Sequence, residues 1–319
     1  MKNLAIILIF VIQSIYTYGQ KIDNMASFRD INSDSYFRFN FDNDYFTSSD
    51  KDYTGGYSFE LVSPILKRNP ANYLLLKPSG KHIKYGIAFE QIVFTPECIK
   101  SFDVQFGDRP YATAAMLKSF AVAIDTVAKS RLTSSINIGW LGPGACGKEM
   151  QTGIHDAINY TIPRGWCYQI KNDLVLNYEL SYEKQLLRYR NLLSIQANSS
   201  VKLGTLYTNG GIGFSTTIGL INSPFSPNHS KKGFCLYLYS QPLVNIIGYD
   251  ATLQGGIFNR DSPYTIAAGS LKRFTAQHNY GIVLQTKSLY FEYSRTAITK
   301  EFDSGRSSKW GGIKFGVKI

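Results

Sequence analysis

Apolar and polar residues alternate with a period of two along nearly the whole chain, and this feature constrains the fold most. A strand turns successive side chains to opposite faces, so such alternation marks strands with one apolar and one polar face. Leu193, Ile195, Ala197, Val201 and Leu203 share a face opposite Ser194, Gln196, Asn198, Ser200 and Lys202. Phe37, Phe39 and Phe41 alternate with Arg38 and Asn40, and Ile313, Phe315, Val317 and Ile319 with Lys314, Gly316 and Lys318. Leu174, Leu176, Tyr178, Leu180 and Tyr182 are set against Asn177, Glu179, Ser181 and Glu183. Comparable segments at 36–42, 55–63, 84–94, 111–124, 131–140, 173–185, 192–204, 208–220, 232–246, 276–286, 288–298 and 308–319 predict about twelve strands.

A soluble β-sandwich also alternates, but three features favour a membrane barrel. Many segments exceed the roughly 5–6 residues usual in soluble sheets. Glu179, Glu183, Lys202 and Lys314 fall on one polar face, as a wet lumen wall requires. The last segment runs to the apolar Ile319. Aromatic content of 14% with a mean hydropathy of −0.14 suits a wall that is apolar outside and polar within. The expected fold is therefore all-β: a transmembrane antiparallel up-and-down β-barrel with long extracellular loops. With a periplasmic N-terminus the outward loops are 43–54, 95–110, 141–172, 205–207, 247–275 and 299–307. Inward turns are short except for 64–83, whose length the alternation does not explain.

Met1-Lys2-Asn3, the apolar run Leu4 to Val11 and the small Gly19 have the three-part form of a secretory signal. The apolar run is too short for the roughly 20 residues of a spanning helix. Residues 1–19 are read as a cleaved signal peptide and 20–319 as one outer-membrane barrel domain. Net charge is +11, and losing Lys2 with the signal leaves +10. Such a surplus points to an anionic partner, and export excludes nucleic acid in favour of anionic lipid. Of Cys98, Cys146, Cys167 and Cys235, none forms a C-x-x-C pair; Cys146 and Cys167 share a loop they would staple if oxidised.

The outward loops carry the unusual chemistry. Asp42-Asn43-Asp44-Tyr45-Phe46 and Asp52-Tyr53-Thr54-Gly55-Gly56 read either as turn chemistry or as a hard-cation site. Oxygens from Asp44, Asn43 and Thr54 suit calcium, though the spacing is not that of an EF-hand. Of four histidines, His82 and His229 map to the periplasmic end and His278 to a strand; His155 alone shares a rim with Asn43 and Asp44. A near-neutral imidazole can take a proton from water. Arg109 offers a fork for phosphate, or else a salt bridge to a rim acid. The chain has no G-x-S-x-G elbow, H-E-x-x-H, P-loop or dinucleotide fingerprint.

Taken together, these blocks resemble a known family. Phe41 to Phe46 with Asp52 to Gly56 is similar to the opening motif of the outer-membrane lipid A 3-O-deacylases. Gln91-Ile92-Val93-Phe94-Thr95-Pro96 with Gly107 to Ala112 resembles their second block. Gly139 to Pro143, Gln151, His155, Gly165-Trp166 and Gln169 resemble the third. The blocks span about residues 36–185, with Thr252-Leu253-Gln254-Gly255 beyond. The resemblance implies a twelve-stranded barrel with its site between outer wall and extracellular loops. It implies calcium-dependent removal of the 3'-acyloxyacyl group of lipid A, or lipopolysaccharide, at the outer leaflet. Asn43, Asp44 and Thr54 match the calcium region, with Asn43 and Asp44 counted in the catalytic set. His155 matches the general base. Lys100 matches a basic residue near the substrate, and Arg109 and Gln151 are counted with it as expected substrate-binding residues. Thr161-Ile162-Pro163 stands where the family carries an acidic residue. A monomer among outer-membrane lipids is expected. An outer-membrane phospholipase or a non-enzymatic channel or structural barrel is the alternative.

Overall fold

The computed structural model describes residues 23–47, 52–78, 81–226 and 233–319. The signal-peptide segment 1–19 and His229 lie outside the described residues. Twelve antiparallel strands close on themselves, β1 (Tyr36–Asn43) pairing with both β2 (Asp52–Val62) and β12 (Ser308–Lys318). Between them run β3 (His82–Thr95), β4 (Ala112–Asp125), β5 (Ser130–Leu141), β6 (Asp173–Tyr189), β7 (Leu193–Gly204), β8 (Tyr207–Leu220), β9 (Cys235–Asp250), β10 (Phe274–Gln285) and β11 (Leu289–Ile298). All twelve alternating segments are strands, with ends shifted by a few residues. Closure leaves no unpaired edge, the condition for spanning a bilayer with strands. The outer wall exposes Phe59, Leu117, Ile138, Leu176, Leu203, Ile212, Leu238 and Phe291, as lipid requires.

The lumen is filled in two storeys. Toward the extracellular rim, Tyr53, Phe94, Met116, Leu206, Tyr207, Ile298 and Trp310 form an apolar layer. Below it the polar residues of the alternation pair within the lumen, Arg38 with Glu60 (2.7 Å) and Lys118 with Glu90 (2.8 Å) between neighbouring strands, and Arg131 with Asp30 (3.3 Å) of the segment ahead of β1. The chain ahead of β1 supplies part of this filling. Arg29 meets Glu292 (2.9 Å), Ser27 donates to Glu183 (3.0 Å), and Lys84 reaches Asp30 (3.1 Å). Main-chain oxygens of Asn24, Met25 and Phe28 accept from Arg38, Arg131 and Tyr237. Removing one partner of a buried charged pair costs about 3–5 kcal/mol, so this segment is firmly held. A lumen blocked at both levels predicts no steady ionic conductance in planar bilayers; regular single-channel steps would contradict the packing.

All four cysteines are free, so no disulfide staples Cys146 to Cys167. The segment 64–78 does not hang in the periplasm: Asn69 Nδ2 donates to Ser119 Oγ (3.2 Å) and Ser134 Oγ to the Leu76 carbonyl (2.9 Å), fixing it to the outer wall.

Candidate active site

Residues directly opposite each other in a ladder point to the same face. Asn43 opposes Gly55, Gly55 opposes Val93, and Val93 opposes Thr113. Ile92 and Phe94 belong to the lumen layer, so this row crosses the outside of β1 to β4. An outward residue at the rim is expected to meet water or headgroups, yet Val93 and Thr113 are fully buried. Their cover is the loop between β5 and β6.

That loop contains a helix, α1 (Gly147–Ala157), which alternation does not reveal. Cys146 enters it with a left-handed φ of 56°. Its buried residues are Gly147, Gln151 and His155, spaced four apart on one face. Gly147 lies on the wall: a Cβ there would come within 1.8 Å of Thr113 Oγ1, so only glycine permits the approach. Tyr111 and Trp166 pack as tilted rings (4.8 Å between centroids) with Val93, and Met150 packs beside them. A helix normally turns apolar residues inward, and Gln151 and His155 break that rule.

Both polar residues are fixed. Trp166 Nε1 donates to Gln151 Oε1 at 3.0 Å. An indole N–H can only donate, so the amide end facing it is the oxygen and Nε2 is presented elsewhere. Gln151 Nε2, Thr113 Oγ1 and Gln91 Oε1 are buried without a hydrogen-bond partner, a concentration of unmet polar atoms between α1 and the wall. His155 Nδ1 lies 2.6 Å from the Thr161 carbonyl, and Tyr160 meets the ring edge-on at 5.0 Å. A carbonyl only accepts, so Nδ1 carries a proton, and in the neutral ring the lone pair is on Nε2. The Thr161 carbonyl thus orients the His155 ring.

At the other end of the row, Thr54 is the extra residue of a β-bulge between Tyr53 and Gly55. Bulges re-aim side chains at barrel rims. Asn43 Nδ2 donates to the Thr54 carbonyl (2.9 Å), which turns the amide oxygen away from it. Thr54 Oγ1 and Thr95 Oγ1 share a hydrogen bond of 2.5 Å. Asp44 is buried in the turn Asp44–Thr47, which Arg295 holds by donating to the Phe46 carbonyl (3.0 Å). Among the described residues no three His, Cys, Asp or Glu side chains gather as a metal site. Asp44, Asn43 and Thr54 carry carboxylate, amide and hydroxyl oxygens, hard donors of the kind calcium takes.

Lys100 is exposed on the loop between β3 and β4, and the neighbouring Ile99 carbonyl accepts from Arg164 N (2.9 Å). The loop is thereby stitched three residues from Thr161. Arg109 is a correction to the expected substrate set. It is buried, its guanidinium stacks 4.2 Å from the Phe94 centroid on the lumen side, and it bonds Glu301 and Thr252 Oγ1 (2.9 Å). A desolvated guanidinium needs a carboxylate beside it, and this one ties three extracellular loops together rather than facing a phosphate. Burial pushes the Glu301 carboxyl up to about 7, with Arg109 pulling it down and Asp250 and Asp52 pushing it up.

Fold and site together define a closed barrel of the outer-membrane kind, with polar side chains buried on the outside of its wall under a loop helix. The family described as outer membrane protein LpxR matches residues 4–319. The chain belongs to that family and is an outer-membrane protein. The structure of LpxR from Salmonella typhimurium is similar, with a TM-score of 0.74, 16% identity, and 89% of this chain and 100% of that one covered. The β domain of the Bordetella autotransporter BrkA aligns at a TM-score of 0.47, 7% identity, with 89% of this chain and 99% of that one covered. No curated protein sequence matches.

Proposed function

We propose that this protein is a lipid A deacylase, acting as a monomer at the outer leaflet to hydrolyse the 3'-acyloxyacyl ester with calcium bound. The observation that carries the reading is the His155 ring, fixed on the Thr161 carbonyl on the wall-facing side of α1. In that tautomer Nε2 takes a proton from water, and the hydroxide oxygen attacks the ester carbonyl carbon. As the tetrahedral intermediate collapses, the carbon–oxygen bond to the sugar breaks and the imidazolium returns its proton to the leaving oxygen. Gln151 Nε2 is a donor set to meet the developing oxyanion, a contribution worth roughly 3–4 kcal/mol per donor. Lys100 offers its ammonium to a phosphate of the disaccharide. Asp44, Asn43 and Thr54 would hold calcium, and the chemistry it would supply is Lewis-acid stabilisation of negative charge on the ester oxygen.

The test is mass spectrometry of purified lipid A incubated with refolded protein, with calcium or with chelator. Calcium-dependent loss of an acyloxyacyl mass is expected; an unchanged mass with a folded barrel removes the reading. Helix placement is testable separately. Gly147→Val should lift α1 from Thr113 and lower turnover by roughly 100-fold, as small misplacements do, without changing heat-modifiable gel mobility; unchanged turnover would show that the approach of α1 is not needed.

One observation favours a phospholipase instead. Ser240 Oγ and His278 Nε2 are 2.8 Å apart on the outward face of β9 and β10. His278, however, faces Pro242 and Ala297 across its ladders, and neither side chain can orient Nδ1. Fatty acid release from glycerophospholipid that Ser240→Ala abolishes would establish that reading.

A further inference from the structure

The segment 64–78 is the long inward connection that strand alternation leaves unexplained. It leaves β2 at the periplasmic end, opposite the rim that carries α1, and folds back up the outside of the barrel. Ser63 N donates to the Tyr85 carbonyl (3.1 Å), Asn69 to Ser119, and Leu76 N to Tyr178 Oη (2.9 Å), so it crosses from β3 to β6 as a strap. Beneath it lie the small outward residues Ser119, Ala121 and Ala123 of β4 and Ser134 of β5, the last three buried, with Leu132 and Ile136 of β5 flanking Ser134. A lipid-facing wall would carry large apolar side chains there. The strap supplies them itself, leaving Ile65, Tyr73, Leu74 and Leu76 exposed at 69, 92, 63 and 54%.

Its depth follows from the strand. On β4 the wall is covered at Thr113 by α1 and at Ser119 by the strap. The open stretch between them is about 20 Å along the strand, shorter than the apolar band of roughly 25 Å in outer-membrane barrels. The strap therefore lies at the inner boundary of the acyl region. Its charge is one-sided: from Leu61 to Phe89 there is no Asp or Glu, but there are Lys67, Arg68, Lys77, Lys81 and Lys84. Lys77 bonds the Asn72 carbonyl, Lys81 pairs with Asp125 and Lys84 turns inward to Asp30. Lys67 and Arg68 remain exposed at the end of the helical turn Pro64–Arg68.

We infer that the strap is a binding surface for anionic phospholipid of the periplasmic leaflet, its apolar side chains among the acyl chains and Lys67 and Arg68 on the headgroup phosphate. Basic residues beside apolar anchors are the general signature of such recognition.

The experiment uses the full-length protein in micelles containing equal phosphatidylglycerol and phosphatidylcholine, with retained lipids counted by native mass spectrometry. The wild type should retain phosphatidylglycerol preferentially, and K67Q/R68Q should retain it roughly five- to tenfold less. A second variant, K129Q/R190Q, removes two charges from other turns at the same rim and should keep the preference. No preference in the wild type, or an equal loss in both variants, would overturn the proposal. Fold is read in each by heat-modifiable mobility.

Discussion

His155→Ala should lower release of the acyloxyacyl group from lipid A by roughly 10²–10⁴-fold, the range a positioned general base contributes. No other described imidazole is placed to stand in. His82 pairs with Asp34 (2.9 Å) at the periplasmic end of the barrel, and His278 lies outward on β10, bonded to Ser240. The loss should not be a loss of fold, because α1 rests on the wall through Gly147 and Met150 as well. A companion variant separates the base from its surroundings. The partner of Nδ1 is a main-chain carbonyl, so Thr161→Ala keeps that acceptor and should retain most of the activity. Full turnover in His155→Ala, measured by mass spectrometry of the lipid product, would end the assignment of this residue as base.

What was legible in the sequence depended on periodicity. Strands announce themselves by alternation, so the number of strands, the rims and the sharing of one rim by Asn43, Asp44 and His155 could all be read directly. Features set by contact could not. The fold of α1 against the wall rests on Gly147 meeting Thr113, two residues distant in sequence that nothing links until the barrel closes. The bulge at Thr54 adds one residue to a strand without disturbing its composition. Arg109 looks the same in sequence whether its partner is a phosphate or Glu301; only the lumen side of Phe94 decides it. One signal was available for α1: Gly147, Gln151 and His155 fall at a spacing of four, though two of the three are polar. The strap had one too: residues 61–89 hold no Asp or Glu, with Ile65, Leu74 and Leu76 among them.

Asp44→Ala should be as damaging as the loss of His155, by a different route and with a different readout. Asp44 is the carboxylate of the Asn43, Asp44 and Thr54 oxygen set, whose other donors are neutral. Sites with little charge bind calcium at the weak end, about 10⁻⁴–10⁻³ M. Removing the carboxylate should therefore abolish activation by calcium throughout the accessible range, with turnover down roughly 10²–10³-fold, as for loss of one oxyanion-stabilising group. Thr54→Val should cost less. It breaks the hydroxyl bond to Thr95 but leaves the Thr54 carbonyl, and so the anchor of the Asn43 amide, in place. The measurement is lipid A turnover against calcium concentration for each variant. The half-activating concentration should rise modestly for Thr54→Val and lie beyond reach for Asp44→Ala. The turn itself survives either change, because Arg295 holds it through the Phe46 carbonyl. If Asp44→Ala keeps a wild-type calcium response, the cation acts elsewhere, and the row from Asn43 to Gly147 would have to serve substrate binding alone.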